Sequence, residues 1–203
     1  TTLFRSTTGS QKFVRLSYEN LRSNAQSIVE YLEIDENERA VMNLPLSYSY
    51  GMSIVNSHLL AGATILLTDE SVMEKSFWAF VKEQRATSIA GVPFTYQMLQ
   101  RIGLTKMDLP HLKTLTQAGG RLNEKLVRHF GEWALANDKR FYVMYGQTEA
   151  APRISYIPYD KLLEKAGTIG IAVPGGELSI VDEELVYRGP NVMMGYAECV
   201  ADL

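Results

Sequence analysis

Between residues 40 and 149, short apolar runs alternate with stretches whose apolar residues recur at helical spacing. The runs at 63–68 and 88–92, for example, enclose a stretch in which Phe77, Trp78 and Val81 form one apolar stripe. Buried strands of a parallel sheet are continuously apolar, whereas the helices that connect them are apolar on one side only. The alternation therefore predicts an α/β fold, in which a mostly parallel sheet is flanked by helices.

After residue 166 the pattern changes to short strands that are separated by glycine and proline turns. The runs at 177–181 and 185–188 have this character, which is typical of antiparallel strands. We therefore expect two parts. Residues 1–166 form an α/β subdomain that holds the polar loops discussed below, and residues 167–203 are the truncated start of a small antiparallel β region.

The composition narrows the classes of function. A net charge of -3 gives no reason to expect a nucleic-acid partner, which requires a basic surface. No apolar run approaches the roughly 18 residues of a membrane span, and no signal peptide is recognisable. Cys199 is the only cysteine, so the chain cannot form an internal disulfide or a cysteine metal site. These features predict a soluble, cytoplasmic protein.

Several enzyme classes have no support in the sequence. His58, His111 and His129 lie far apart and never at the spacing of metal ligands. There is no G-x-S-x-G motif of an esterase, and no G-x-G-x-x-G motif of a dinucleotide-binding fold.

Three polar, glycine-bearing segments remain as candidate sites, at residues 6–12, 118–120 and 145–149. The last two directly follow predicted parallel strands. Since ligands bind at the carboxyl ends of such strands, we expect these two segments to meet in one crevice. The first segment is a loop of small hydroxyl residues that ends in Lys12, which suits phosphate, although it lacks the Walker spacing.

The segment at 145–149 offers an aromatic face, a hydroxyl and a carboxylate, from Tyr145, Thr148 and Glu149. These groups suit a base, a phosphate oxygen and Mg²⁺, which needs only one or two protein carboxylates. The same residues also fit an ordinary polar turn after a strand, and the pattern alone does not choose between the two interpretations.

The polar segments resemble those of the adenylate-forming enzymes: acyl-CoA synthetases, nonribosomal-peptide adenylation domains and luciferase-like ligases. Five motifs occur in the family's order. They are Ser6-Thr7-Thr8-Gly9-Ser10-Gln11-Lys12 (phosphate loop), Gly91-Val92-Pro93-Phe94-Thr95-Tyr96-Gln97-Met98-Leu99 (V-P-x-x-Y-x-x-L), Tyr145-Gly146-Gln147-Thr148-Glu149 (Y-G-x-T-E), Gly167-Thr168-Ile169-Gly170 with Pro174-Gly175 (G-S-x-G…P-G), and Arg188-Gly189-Pro190 to Gly195-Tyr196 (R-G-P-x-x-x-x-G-Y).

The resemblance implies a role for each segment. Tyr145 would stack on adenine, Thr148 would bond an α-phosphate oxygen, and Glu149 would hold Mg²⁺. The phosphate loop would cover the β- and γ-phosphates, and the Gly119-Gly120 backbone would pass close to the adenylate. The expected catalytic residues are thus Thr148, Glu149 and Lys12, and the expected nucleotide-binding residues are Ser6, Thr7, Thr8, Gly9, Ser10, Lys12, Gly119, Gly120, Tyr145, Gly146 and Thr148.

The resemblance also implies the reaction. A small carboxylic acid would react with ATP to give an acyl-adenylate. Coenzyme A, the pantetheine arm of a carrier protein or an amine would then accept the acyl group. Two alternatives to a ligase remain. The chain could be a nucleotide-binding module without catalytic activity, or a structural remnant without a ligand.

The chain departs from the family pattern in several places. Gln11 replaces the loop proline, Arg5 and Ser6 stand where Ser-Gly is usual, and Tyr48 stands where many acyl-CoA synthetases have histidine. The family's T-G-D motif and its lysine-bearing C-terminal domain would lie beyond Leu203. We therefore expect an internal fragment of the large domain that has little activity alone and that self-associates through exposed apolar surface.

Overall fold

A computed structural model describes residues 2–5, 12–198 and 202, with backbone only for residues 2–5. In these residues the strands are β1 (Thr2–Arg5), β2 (Phe13–Leu16), β3 (Arg39–Met42), β4 (Thr64–Leu67), β5 (Ser88–Gly91), β6 (Thr114–Gln117), β7 (Arg140–Gly146), β8 (Arg153–Tyr156), β9 (Ile171–Ala172), β10 (Glu177–Val181), β11 (Glu184–Arg188) and β12 (Gly195–Ala197). The helices in the same ranges are α1 (Tyr18–Leu32), α2 (Ser49–Leu60), α3 (Lys75–Glu83), α4 (Pro93–Arg101) and α5 (Glu124–Ala136), with short 3₁₀ turns at Leu104–Lys106, Thr148–Ala150 and Tyr159–Lys161.

The main sheet of the described chain has seven strands in the order β4-β3-β5-β6-β7-β8-β9. The five strands from β4 to β7 are parallel, while β8 and β9 are added antiparallel at one edge. This arrangement confirms the mostly parallel α/β sheet that strand–helix alternation predicts. Strands β1 and β12 both pair antiparallel with β2, and β10 and β11 form an antiparallel hairpin, as the turn-rich pattern predicts.

Local sequence signals set where several helices begin. The Ser17 hydroxyl accepts from the backbone N–H of Asn20 at the start of α1, and the Asn123 side chain accepts from that of Lys125 at the start of α5. Both bonds satisfy backbone donors that the first helical turn leaves free. Pro93 occupies the first turn of α4, where its missing N–H has no cost. None of the helices in the described ranges combines the length and the apolar character that crossing a bilayer requires.

The parallel strands bury side chains on both faces of the sheet. Val41, Ile89 and Phe141 belong to a core cluster with α3, α4 and α5, whereas the neighbouring Ala40 and Tyr142 belong to a cluster with α1 and α2. Successive residues of a strand point to opposite faces, so each strand supplies both clusters. The sheet is therefore covered by helices on both sides, and its carboxyl edge is the face left for loops that bind ligands.

The core against α5 depends on large aromatic side chains. Phe130 is fully buried and contacts both Tyr96 and Phe141 in edge-to-face arrangements. Phe130→Ala should lower the free energy of unfolding by about 3–5 kcal/mol, because a large cavity replaces the ring. Urea titration followed by circular dichroism measures this loss. Leu135→Ala, on the exposed side of the same helix, should change stability by no more than about 0.5 kcal/mol. Equal losses in the two variants would contradict this assignment of the core.

A buried histidine links stability to pH. His58 is 5% exposed on α2, its Nδ1 atom lies 2.8 Å from the carbonyl oxygen of Ile54, and burial lowers its pKa below the usual range. The bond to Ile54 and the charge of Glu38 oppose that shift but do not reverse it. As pH falls below about 6.5, the unfolded chain therefore takes up a proton that the folded chain resists.

We expect stability to fall as the pH decreases from about 6.5 towards the lower pKa of the folded state, and His58→Gln to remove that part of the loss. Urea titrations at about pH 7.5 and about pH 5.5 measure the difference. His111→Gln, at a partly exposed histidine, is the control and should keep the wild-type pH dependence. An unchanged pH dependence in His58→Gln would show that burial of this imidazole is not its cause.

Candidate active site

A tight turn at the end of β7 sets the course of the backbone through the polar segment at 145–149. The register between β7 and β8 shifts at Tyr145 and Gly146, and the backbone N–H of Gln147 donates to the carbonyl oxygen of Pro152 at 2.9 Å. A Cβ atom on Gly146 would lie only 1.9 Å from the same carbonyl oxygen. Glycine is therefore required here, because the two backbone segments approach more closely than any side chain permits.

The hydroxyl and the carboxylate of the segment at 145–149 lie in different surroundings. Thr148 is 5% exposed, and its Oγ1 atom lies 3.2 Å from Oγ of Ser49 at the start of α2. Glu149 is only partly buried, and its Oε1 atom accepts from the Tyr196 hydroxyl at 3.0 Å. That bond also raises the pKa of Tyr196, since losing its proton would place two negative charges together. The turn thus presents a fixed hydroxyl inside and a carboxylate at the open edge.

Hydrogen bonds from a buried side-chain amide fix the turn after β6. Gln117 is fully buried, and its Nε2 atom donates to the carbonyl oxygens of Ala118 at 3.1 Å and Gly120 at 2.9 Å. Gly119 has a φ of 79°, and a Cβ atom there would lie 2.3 Å from the Tyr48 hydroxyl oxygen. The left-handed backbone and the close tyrosine both demand glycine at this position. The pair of glycines leaves bare backbone facing the β7 turn.

A cavity of about 420 Å³, here named the turn cavity, lies between these two turns. Its volume is in the range that small ligands and cofactors occupy. The Tyr145 side chain, 37% exposed, is available to a flat ring at its wall. The residues that line it include Gln117, Gly119, Gly120, Val143, Tyr145, Gly146 and Thr168.

A second cavity of about 180 Å³, here named the arginine cavity, lies on the other side of Gly119 and Gly146, which border both cavities. It is lined by Tyr48, Ser49, Tyr50, Ala118, Gly119, Gly146, Gln147, Thr148, Pro152 and Arg153. The position of Thr148 in its wall connects the predicted phosphate contact to this second space.

Arg153 is a site residue that the sequence did not reveal. It is 2% exposed, its Cζ atom lies 4.0 Å from the ring centroid of Tyr50, and its Nε atom has no hydrogen-bond partner among the described residues. The available signal was an arginine inside the small and apolar run at 150–154, where a charge is unexpected.

The phenols near Arg153 do not neutralise its charge. Burial raises the pKa of Tyr31 to about 12, even though the charge of Arg153 acts in the opposite direction. The pKa values of Tyr48 and Tyr50 are also raised, again mainly by burial. All three hydroxyls therefore keep their protons near neutral pH, and none of them supplies a negative charge beside the guanidinium.

The structure brings most of the described site residues together. Gly119, Gly120, Tyr145 and Gly146 border the turn cavity, and Thr148 and Glu149 follow in the adjoining turn. Lys12 is exposed, and its Nζ atom lies 3.8 Å from Oε1 of Glu198. The other predicted phosphate-loop residues, Ser6, Thr7, Thr8, Gly9 and Ser10, lie outside the described residues.

The chain is similar in sequence to known CoA synthases and CoA ligases. The chain is 30% identical over 202 residues to a feruloyl-CoA synthase of Amycolatopsis sp, covering 93% of this chain and 40% of the relative. It is 28% identical over 203 residues to a medium-chain fatty-acid–CoA ligase of Escherichia coli (strain K12), covering 94% of this chain and 35% of the ligase. The chain thus spans about two fifths of the length of these relatives.

The fold matches solved structures of the same kind. A structure of o-succinylbenzoate CoA synthetase from Bacillus subtilis with its acyl-adenylate intermediate superposes with a TM-score of 0.83 at 23% identity, covering 96% of this chain and 41% of that one. The sequence profile described as AMP-binding enzyme matches residues 6–197. Since this match covers nearly the whole sequence, the chain belongs to the AMP-binding enzyme family.

Proposed function

We propose that this chain supplies the nucleotide and acid sites of an ATP-dependent ligase that activates a carboxylic acid as its acyl-adenylate. The observation that carries the proposal is the pair of turns at 118–120 and 145–149, which border one cavity of about 420 Å³ at the carboxyl edge of the sheet. Family membership and the CoA-ligase relatives support it.

The proposed reaction has two steps. A carboxylate oxygen of the acid attacks the α-phosphorus of ATP, the bond from that phosphorus to the bridging oxygen breaks, and pyrophosphate leaves with the electron pair. A thiol, from coenzyme A or from the pantetheine of a carrier protein, then attacks the acyl carbon and releases AMP. Such chemistry depends on positioning and charge stabilisation more than on a protein nucleophile.

The site residues have distinct proposed roles. Tyr145 stacks on the base in the turn cavity, and the Gly119-Gly120 backbone passes beside the nucleotide. The Thr148 hydroxyl donates to an oxygen of the α-phosphate. Its bond to Ser49 supports this role, because the partner fixes the threonine side chain before the substrate arrives.

Mg²⁺ would be held by Glu149 and would neutralise phosphate charge. No group of three or more His, Cys, Asp or Glu residues suited to a metal occurs among the described residues. A single carboxylate at the edge of the cavity nevertheless fits this ion, which takes most of its ligands from water and phosphate oxygens. The Tyr196 hydroxyl orients the Glu149 carboxylate by its hydrogen bond.

Lys12 and the rest of the 6–12 loop would contact the β- and γ-phosphates. Lys12 stands immediately before β2, whose Val14 pairs with Tyr196, and the Tyr196 hydroxyl donates to Glu149. The pairing of β2 with β12 therefore connects the end of the loop to Glu149, the proposed metal ligand. Its present partner is the exposed Glu198, and exposed ion pairs are weak enough to exchange for phosphate.

The double variant Thr148→Ala, Glu149→Ala should abolish acid-dependent exchange of pyrophosphate into ATP in the full-length protein that carries this sequence. It removes both the donor to the α-phosphate and the proposed metal ligand. The matched control is Thr105→Ala, Glu132→Ala, which lies away from both cavities and should retain the wild-type rate.

Unchanged exchange in the first double variant would refute the site assignment. AMP binding by calorimetry, without exchange for any acid, would instead favour a nucleotide-binding module. Absence of both from the folded protein would favour a structural role.

Gly119→Ala should reduce exchange at least about tenfold, because its Cβ atom would collide with the Tyr48 hydroxyl. Gly103→Ala is a matched control, since Gly103 has a similar φ of 73° but the added atom would meet only Cδ of Lys106, at an ordinary contact distance of 3.8 Å. It shares the backbone strain and not the collision. Tyr48→Phe in the Gly119→Ala background should restore part of the rate, because the nearest remaining ring carbon, Cζ, is 3.4 Å away. No recovery would show that backbone strain or the remaining contact with Cγ1 of Val92 at 3.1 Å, and not the tyrosine hydroxyl, causes the loss.

A further inference from the structure

Arg153 is a buried charge without a countercharge. Only 2% of the residue is exposed, and none of the ion pairs among residues 12–198 includes it. A buried guanidinium loses its hydration, and without a paired anion nothing in the fold offsets that loss. An anion from outside the described residues would offset this cost.

The backbone of Arg153 is firmly held. Its carbonyl oxygen accepts from Nδ2 of Asn24 at 3.1 Å and from Nδ2 of Asn191 at 2.8 Å. Its N–H donates to Oδ1 of Asn24 at 3.3 Å. Both asparagines are themselves almost fully buried. With the guanidinium packed on the Tyr50 ring, the charge has little freedom to turn towards solvent.

The other space beside Arg153 cannot supply the missing anion. A small void of about 20 Å³ also borders Arg153, and Glu38 is the carboxylate on its wall. Glu38 already accepts from the Thr87 hydroxyl and lies 4.0 Å from the guanidinium of Arg140. The void is otherwise largely apolar and is too small for a ligand.

The arginine cavity is large enough for a small acid. The positive groups in its wall favour a negatively charged ligand. Arg153 and Thr148 both lie in its wall of about 180 Å³. Helix α2 begins in the same wall at Ser49, and no side chain caps its first turn. The free N–H groups of that turn carry partial positive charge, which adds to the positive charge of the Arg153 guanidinium.

We infer that the acid activated here carries a second negatively charged group, and that it is a compact dicarboxylate. One carboxylate lies at Thr148 for activation, and the other pairs with Arg153 in the arginine cavity. The inference rests on the proposed function, since it names the substrate class of the same site. A purely aliphatic acid would fill the cavity and leave the guanidinium, which has the neutral Tyr31 and Tyr50 as neighbours, buried without a countercharge. An amino acid that brought its ammonium to Arg153 would be repelled.

The test in the wild-type protein is direct binding of matched acids, measured by calorimetry on the full-length protein that carries this sequence. The pairs are succinate with butyrate, glutarate with pentanoate, and adipate with hexanoate. At least one dicarboxylate should bind about tenfold or more tightly than its partner, as expected for a charge-assisted hydrogen bond in a buried site. Equal binding within every pair, or no binding of any dicarboxylate, would overturn the inference.

Variants then assign the preference to one side chain. Arg153→Met should remove the dicarboxylate preference while leaving monocarboxylate binding equal or tighter, and Arg153→Lys should retain part of the preference because it keeps the charge. Arg101→Met, an exposed arginine at the end of α4, is the matched control and should bind as the wild type does. Methionine of similar size in place of an unpaired buried charge is expected to preserve the fold, which thermal melting checks. A preference that survives in Arg153→Met would place the second anion elsewhere.

Pyrophosphate exchange measured with the same acids separates this inference from the proposed function. Dicarboxylates that bind through Arg153 without supporting exchange would refute the ligase and keep the subsite. Exchange that is supported equally by mono- and dicarboxylates would refute the subsite and keep the ligase.

Discussion

The parallel pairing of β6 with β7 is the constraint on which the candidate site depends. The register places Gln117 opposite Val143, so the two strands reach the carboxyl edge of the sheet together and their turns begin side by side. Each turn is then fixed by its own backbone contact. Gln117 holds the Gly119-Gly120 turn by two hydrogen bonds, and Gly146 lets the other turn lie directly on Pro152. A shift of one residue in this ladder would reverse the faces of both strands and separate the turns.

The same edge divides the site into two functional halves. The turns after β6 and β7 border the turn cavity with Gly119, Gly120, Tyr145 and Gly146, and under the proposed function these residues contact the parts of a nucleotide that do not vary. The arginine cavity is built instead from the start of α2 and from Arg153 at the start of β8. Because Thr148 borders the second cavity and adjoins the first, its hydroxyl marks the proposed point where acid and phosphate meet. Under the proposed function, a change in Arg153 would alter the choice of acid without altering the residues that line the turn cavity.

Some of this arrangement could be predicted from the sequence, because its causes are local. Apolar periodicity predicts the parallel sheet, and the caps at Ser17 and Asn123 are local in the same sense, since a cap depends on residues within one helical turn. The bond between Ser49 and Thr148 joins residues 99 positions apart, and periodicity carries no signal for it. Strand β8 was also not predicted, because an antiparallel return after a bulge shows neither alternation nor a crossover helix. The role of Arg153 depends on two asparagines and a tyrosine that only the folded chain assembles.

Arg153 also shows why a site residue can work against the stability of its own fold. The aromatic and apolar groups around Tyr31 and Tyr50 make a favourable core, yet the same low polarity raises the pKa of both phenols and leaves the guanidinium poorly solvated. Hydrogen bonds to its backbone fix the arginine without neutralising it, so the cost of its charge remains in the ligand-free state. In the inferred complex, a carboxylate in the arginine cavity recovers this cost as binding free energy, because the desolvation of the cation has already taken place during folding. Recognition in that complex would draw its strength from the burial that folding imposes, and a more exposed arginine at the same distance would discriminate less between acids.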